Sequence, residues 1–556
     1  MRQAPRLTLG LLCIPVLAGT LGTLGPAFGL MDPPGPDFAA FQALGNWPGL
    51  PGAIWLSVIT GTLSTLLSLI ISLGLVATLI GRPGFARVQR LLSPLLSVPH
   101  AAAALGLAFL IAPSGWIARA LSPWATGWTA PPDLLILNDT NGLALTFGLV
   151  AKETPFLLLM ILAALPQTDA QRRLTVAASL GYGRLWGFAL TVLPALYAQL
   201  RLPVYAVLAY AMTSVEMAMI LGPSLPPSLS VQVVNWSADP GLAHRGTAAA
   251  GALVQLALVA GMLALWWLAE RSMIHVLRTQ AAMGRRGRAL DRPGQTVMLA
   301  LGLGPACALI AGLAGLAVWS VAGLWQFPDA LPQSVTLSIW ARAGPGLWDS
   351  AITTTGLAIS STGVALALVL VSLQAEYLHR LPPRAAGMWL VYLPLIVPQV
   401  AFLPGLQMLA LSAGAQGGVI SVAAAHLVFV LPYVFLSLAA PFRAWDARIA
   451  TQGAALGASD ARIFWRLRMP MLLAPVLTAA AVGVAVSVGQ YLPSLLIGGG
   501  RVETLTTEAV ALSSGGNRRV IGAYALLQMA LPGLAFALAL GLPRLIYANR
   551  RGMGAN

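Results

Sequence analysis

The sequence predicts an all-α integral membrane protein with about 12 transmembrane helices in two homologous six-helix halves. Three observations carry this. Of 556 residues, 58% are hydrophobic and 9% charged, with mean hydropathy +0.80, whereas soluble domains carry roughly 25% charged residues. Apolar runs of the length that spans a bilayer, about 20 residues, recur along the whole chain. A half-polar stretch at 178–196, ASLGYGRLWGFALTVLPAL, returns 276 residues later as AALGASDARIFWRLRMPML.

Taking apolar runs bounded by charge, Gly or Pro places the spans in order at 7–27, 52–80, 91–113, 142–165, 195–222 and 246–269, then 297–323, 350–373, 386–411, 418–441, 473–497 and 520–543. The first run follows MRQAPR and could be read as a secretory leader, but its apolar stretch exceeds the usual 7–15 residues or so of one. Its removal would also leave the first half one helix short, so it is read as a retained span. Residues 1–269 form the first half and 297–556 the second. Between them, 270–296 is a polar, basic linker, read as a cytoplasmic tether touching anionic lipid.

Charge placement fixes the orientation. Of the 32 basic residues, 31 are Arg. With both termini in the cytoplasm, 25 arginines fall on the inside and six (Arg119, Arg245, Arg342, Arg501, Arg518, Arg519) outside, as the positive-inside rule requires. That distribution explains the net charge of +15 by topology and leaves no nucleic-acid site to argue for. Cys13 and Cys307 lie in apolar runs without metal or redox spacing.

The repeat extends beyond the opening stretch. SVITGT (57–62) matches SAITTT (350–355), SVPHAA (97–102) matches IVPQVA (396–401), and Pro155 and Pro432 occupy matching spans. Six spans per half is an even number, so the halves share one orientation about an axis along the membrane normal. Both copies of the polar stretch connect the fourth and fifth spans of their half. Each reads as a short helix ended at Gly181 or Gly457, where Gly permits a left-handed turn. A second helix then runs to Pro194 or Pro470, where Pro is tolerated at a helix start.

The Gly, twelve residues, Pro frame, with Ala178 and Ala454 in the small-residue run before it, resembles the EAA loop of binding-protein-dependent ABC importer permeases. The fused two-half layout is similar to thiamine and ferric-iron importers. The resemblance spans nearly the whole chain and implies that residues 168–194 and 443–472 are coupling loops. Each would dock a cytoplasmic ABC ATPase, two copies in all, with a periplasmic solute-binding protein delivering a small solute across an inner membrane by alternating access. The family's Glu falls at Thr175 and Thr451, followed by Val176 and Ala177 in one copy and Gln452 and Gly453 in the other. The EAA letters are therefore mostly lost while the Gly-to-Pro frame survives.

A P-loop needs Lys before Ser or Thr in a Gly-rich frame. The single Lys, Lys152, follows GLVA and precedes Glu153, so ATP belongs to partner subunits and this chain carries no cofactor and no catalytic constellation. The longest outside loop has about 30 residues, too few for a substrate-capturing domain.

Ionisable residues within spans are costly and face a pathway or a partner. Lys152 and Glu153 lie near the middle of the fourth span, Glu216 near the outer end of the fifth, and Gln490 is its counterpart in the eleventh. Neighbours on a helix point about 100° apart, so one of Lys152 and Glu153 is expected to pair with Glu216 while the other meets the pathway or the second half. Two readings stay open, a buried ion pair that fixes packing and a solute contact. His100 is expected to be a packed interior residue. A secondary transporter of the major-facilitator type is also built as 6 + 6, and GRPGFARVQR (81–90) resembles its basic loop without the Asp; a membrane-embedded enzyme lacks any reactive group set. The solute itself, whether thiamine-like, ferric iron or polyamine, is left open.

Overall fold

The computed structural model describes all residues except 1, 31–35, 240, 242, 383–384, 415–416 and 548–556. Three of the inward-assigned arginines, Arg384, Arg550 and Arg551, lie outside the described residues. The principal helices of the first half are α1 (Ala4–Ala27), α2 (Leu50–Leu79), α3 (His100–Ile111), α4 (Leu143–Ala164), α5 (Ala170–Ser179), α6 (Arg184–Thr191), α7 (Leu193–Thr213), α8 (Glu216–Leu221) and α9 (Ala243–Ala282). The second half holds α10 (Asp291–Val321), α11 (Gly344–Leu378), α12 (Ala385–Ile396), α13 (Gln399–Ser412), α14 (Val419–Arg443), α15 (Ala447–Ala455), α16 (Asp460–Ile463), α17 (Leu473–Val488) and α18 (Arg518–Ile546). Among the described residues nine helices are long and apolar enough to cross a membrane, and twelve if each of three sharply bent pairs is one span. The predicted fold class holds.

On the inner face of these helices small and hydroxylated residues sit among the buried apolar ones. On α1 Thr8, Leu12, Val16, Gly19, Thr23 and Ala27 are buried, while Leu7, Leu11, Ile14, Leu17 and Leu21 are exposed. Both sets follow a helical period. Where lipid is as apolar as Leu, helices associate through close packing and small residues instead. On α2 Ser57, Thr60, Ser64, Thr65, Ser68 and Ser72 face inward, and Ser57, Thr60 and Thr65 donate to carbonyls four residues back, which satisfies them inside the helix.

Four expected spans are broken rather than continuous. The third starts afresh at His100 after Pro99, behind a 3-10 turn at Ser93–Ser97, and the ninth bends by 84° between α12 and α13 at Pro398. The residue before a Pro is pushed out of helical geometry, so the matching VPH and VPQ segments break alike. The fifth breaks at the extended Ser214 and the eleventh at Gly489–Gln490. The linker is shorter than its polar composition suggests. α9 continues to Ala282 and α10 begins at Asp291, leaving only 283–290 outside helix.

The two six-helix sets interlock. α1 packs most extensively on α13 of the second half and also touches α11 and α12, whereas α10 packs on α3 and α2 of the first half. Both crossings are backbone to backbone at glycines. A Cβ on Gly405 would lie 2.0 Å from the Gly19 carbonyl oxygen, and one on Gly312 would lie 2.5 Å from that of Gly106. Thr23 Oγ1 seals the first crossing with a 2.9 Å bond to the Ala401 carbonyl.

Candidate functional site: a duplicated loop and a buried acidic cluster

The two copies of the polar stretch fold into the same turn. At the end of α5, Tyr182 N–H donates to the Ala177 carbonyl at 3.0 Å and Gly181 N–H to Ala178 at 3.0 Å. At the end of α15, Ala458 N–H donates to Gly453 at 3.0 Å and Gly457 N–H to Ala454 at 2.9 Å. This paired pattern is a Schellman cap, and it needs a left-handed residue after the helix. Gly181 at φ +85° and Gly457 at φ +79° supply it. The apolar residue just before each Gly stands out at the tip, Leu180 at 59% and Leu456 at 89% exposure. Thr175 and Thr451, where a Glu would stand, are exposed and bond only to their own helix, at Gln171 and Ala447.

After the tip each chain runs back and turns sharply into a spanning helix, by 70° between α6 and α7 and by 74° before α17. Pro194 sits in the first turn of α7 as expected. Pro470 instead sits in a three-residue helix, Met469–Met471, just ahead of the bend at Leu472. A groove of about 280 Å³ beneath the second loop is lined by Thr451, Ala454, Phe464, Trp445 and Arg468 among others.

Arginines that sequence reasoning counted only for orientation tie both loops to the spans. Arg184 Nε donates to the Ala77 carbonyl at 2.7 Å, and its guanidinium also reaches the Ile80 carbonyl at the end of α2. Arg468 is buried, donates to Gln374 Oε1 and to the Phe442 carbonyl at 3.0 Å each, and lies over the rings of Tyr377, Phe442 and Trp445 at 3.9–4.7 Å. The free carbonyls at a helix end are ready acceptors. The two arginines occupy different places in the repeat, three and eleven residues after the Gly, so alignment of the copies could not reveal them. The rings around Arg468 come from distant positions, Tyr377, Phe442 and Trp445, so nothing in the sequence next to it announced the contact.

Deep between the halves lies a second group. Glu153 Oε1 is 3.3 Å from His100 Nε2, whose ring packs against Tyr210 with centroids 4.6 Å apart and the planes tilted by 48°. Tyr210 donates a 2.8 Å hydrogen bond to Glu216 Oε1. Both carboxylates are buried, while the His100 side chain keeps 31% of its surface accessible. Tyr433 and Tyr491 of the second half lie within Coulombic reach of Glu153 and Glu216, respectively. Glu216 opens α8 immediately after the break at Ser214, and half-buried Gln490 sits at the corresponding break of the eleventh span.

The expected pairing of Glu216 with Lys152 or Glu153 does not occur. Lys152 Nζ donates to the carbonyls of Leu95 and Leu96 at 3.0 and 3.2 Å. Those groups are freed by the turn at Ser93–Ser97, so the cation is satisfied by backbone. Glu153, pointing elsewhere around the helix, takes His100. His100 is accordingly a half-exposed partner and not a packed interior residue. Sequence reasoning also passed over His426, which is buried and bonds Ser487 Oγ at 2.8 Å and Ser494 Oγ at 2.9 Å, fastening α14 to the broken eleventh span.

A many-helix membrane protein with broken spans and a duplicated loop carrying the same exposed tip has the build of a transporter permease. Comparison with known proteins names the family. The chain is 31% identical over 540 residues, 97% of its length and 96% of the other, to an inner membrane ABC transporter permease protein, YnjC, of Escherichia coli K12. Over shorter stretches it is 24% identical to the spermidine/putrescine transport permease PotC of Haemophilus influenzae (28% of this chain, 61% of that one). It is 29% identical to the molybdenum transport permease ModB of Mycobacterium tuberculosis (25% and 55%). No family model matches. The chain belongs to the ABC transporter permeases of importer type, and nothing supports the major-facilitator alternative. Its role is that of a transport subunit in a membrane, in a family whose permeases in general work with ATPase and binding-protein partners.

Proposed function

We propose that this chain forms a complete translocation pore from its two halves, and that loops 168–194 and 443–472 each seat one ATPase subunit, two copies per chain. ATP binds on those subunits. A periplasmic binding protein delivers a small solute to the opposite face, and the loops, the linker and both termini lie in the cytoplasm. Helix α1 is a retained span, because its loss would uncover the Gly405 crossing on α13. Glu153, Glu216 and Gln490 flank the solute path, Glu216 and Gln490 at the breaks of the fifth and eleventh spans and Glu153 against His100 where the third restarts, and discontinuous helices build transporter sites. Lys152 has a packing role.

The single observation that carries this reading is the matched tip. The same Schellman cap, with the same exposed Leu, recurs at Gly181 and Gly457. The test is purification from native membranes in mild detergent with mass spectrometry of the partners. An ATPase at about two copies per chain supports the reading. Recovery of the chain alone, in a preparation that still transports without ATP, overturns it.

A further inference from the structure

Position 183 is Gly in the first loop, and its counterpart 276 residues on is Ser459. Ser459 caps the helix after the second tip, its Oγ accepting from Arg462 N–H. Gly183 has no side chain to do so, and the cap comes from elsewhere. Asp291 Oδ1, at the start of α10, accepts from Leu185 N–H at 2.9 Å. The connecting strap lies across the loop as well. Gly183 N–H donates to the Arg286 carbonyl at 2.8 Å and Trp186 Nε1 to the Arg285 carbonyl at 2.7 Å. Around the tip Gly, Arg288 stands 3.0 Å from where a Cβ on Gly181 would be, whereas none of the described residues lies within 4 Å of the same point on Gly457. The strap residues 283–290 are all exposed, and Arg286 and Arg288 come within 3.5 Å of a Cβ position on Gly181, next to exposed Leu180.

We propose that the strap 283–290 is part of the ATPase docking surface of the first half, presenting Arg285, Arg286 and Arg288 to an acidic patch on that subunit, and that the two docking loops are therefore unequal. The inference rests on the coupling-loop reading above. A protein partner is favoured over lipid because the strap is hydrogen-bonded onto the loop just behind its outward tip and mixes arginines with exposed Met283 and Leu290. That continues the docking surface of the loop.

The structure supplies a variant that removes the strap without unfolding the loop. A Cβ on Gly183 would lie 2.7 Å from the Gly287 carbonyl oxygen, so Gly183→Ser expels the strap while giving α6 the self-cap that Ser459 gives the second loop. In the full chain with its co-purified ATPase, Gly183→Ser should weaken ATPase binding about tenfold at low salt and flatten its salt dependence, the signature of lost rim charges. Unchanged affinity and salt dependence would overturn the proposal.

Cross-linking separates its failure from that of the underlying reading. Leu180→Cys, Leu456→Cys and Arg288→Cys, each in a Cys13→Ser, Cys307→Ser background, are treated with a short thiol–amine linker. All three should capture the ATPase. Capture by Leu180→Cys and Leu456→Cys alone leaves the coupling loops standing and removes the strap from the interface. Capture of aminolipid by Arg288→Cys makes the strap a membrane contact and overturns the proposal. No capture at any position overturns both.

Discussion

Gly405→Ala tests whether the interlocked first helices hold the halves together. The new Cβ would lie 2.0 Å from the Gly19 oxygen, 2.4 Å from Thr23 N and 2.6 Å from Thr23 Oγ1. Ordinary contact begins at 3.4 Å, so α1 and α13 must part by about 1.4 Å, and two backbones leave no flexible side chain to yield. Separation on that scale also stretches the 2.9 Å bond from Thr23 to the Ala401 carbonyl beyond hydrogen-bonding range. Overpacking costs about 1–3 kcal/mol and an interhelical bond in a membrane about 0.6 kcal/mol, together about 2–4 kcal/mol. The symmetry-related crossing grades the effect. Gly312→Ala meets the Gly106 oxygen at 2.5 Å, whereas Gly106→Ala first meets Gly312 at 3.1 Å. Thermal melting in detergent, read by fluorescence-detected size exclusion, should therefore rank the losses Gly405→Ala, then Gly312→Ala, then Gly106→Ala. Equal stability for Gly405→Ala and Gly106→Ala would refute the claim that these crossings are backbone-limited.

Gly457→Pro and Gly181→Pro should leave the protein in the membrane but separate ATP hydrolysis from uptake, and unchanged uptake in both would count against the docking role of the tips. Glu153→Gln and Glu216→Gln should lower solute uptake while ATPase co-purification persists; loss of the assembled complex instead would make the pair structural. Lys152→Met should act the other way, lowering the yield of folded protein because two carbonyls lose their buried donor, at about 1–3 kcal/mol; a well-folded variant with abolished uptake would return Lys152 to the pathway. Arg468→Met removes two hydrogen bonds and three ring contacts. It should expose the second loop to limited proteolysis while leaving the first protected.

What the sequence made legible follows from backbone chemistry that few residues can supply. Gly takes the left-handed position of a cap most readily, so Gly181 and Gly457 could be read directly, although Arg380 fills the same position after α11 at φ +49°. Apolar length fixed the spans, and prolines marked helix starts. Breaks inside spans were harder. Ser214 lies in a short polar patch, Thr213, Ser214 and Glu216, inside a span that is apolar on both sides, and hydropathy alone does not show that the helix restarts at Glu216, which accepts from Tyr210 six residues earlier. The false pairing of Glu216 had a similar origin. Charge complementarity within spans is one solution for a buried ion, but carbonyls at a helix end serve a Lys equally well. Their availability at Leu95 and Leu96 depends on a turn that hydropathy does not register.

The supports of the two loops argue that a conserved geometry can rest on unlike contacts within one chain. Both tips need a fixed exit from the Schellman turn and an anchor to the spans. The second loop finds these locally, with Ser459 as cap and Arg468 in its aromatic box. The first is tied at Arg184 to the end of α2 and at Asp291 to the start of α10, a helix of the other half that packs on α2 and α3. A displacement of the first loop is thus transmitted to both halves at once, whereas the second loop is tied to α11 and α14 of its own half. Asp291→Ala should therefore loosen the first loop alone, at about 0.5–2 kcal/mol for a lost cap, and hydrogen exchange should rise at 184–191 with no change at 460–468. A matching rise in the second loop would mean that the two are coupled through more than these ties.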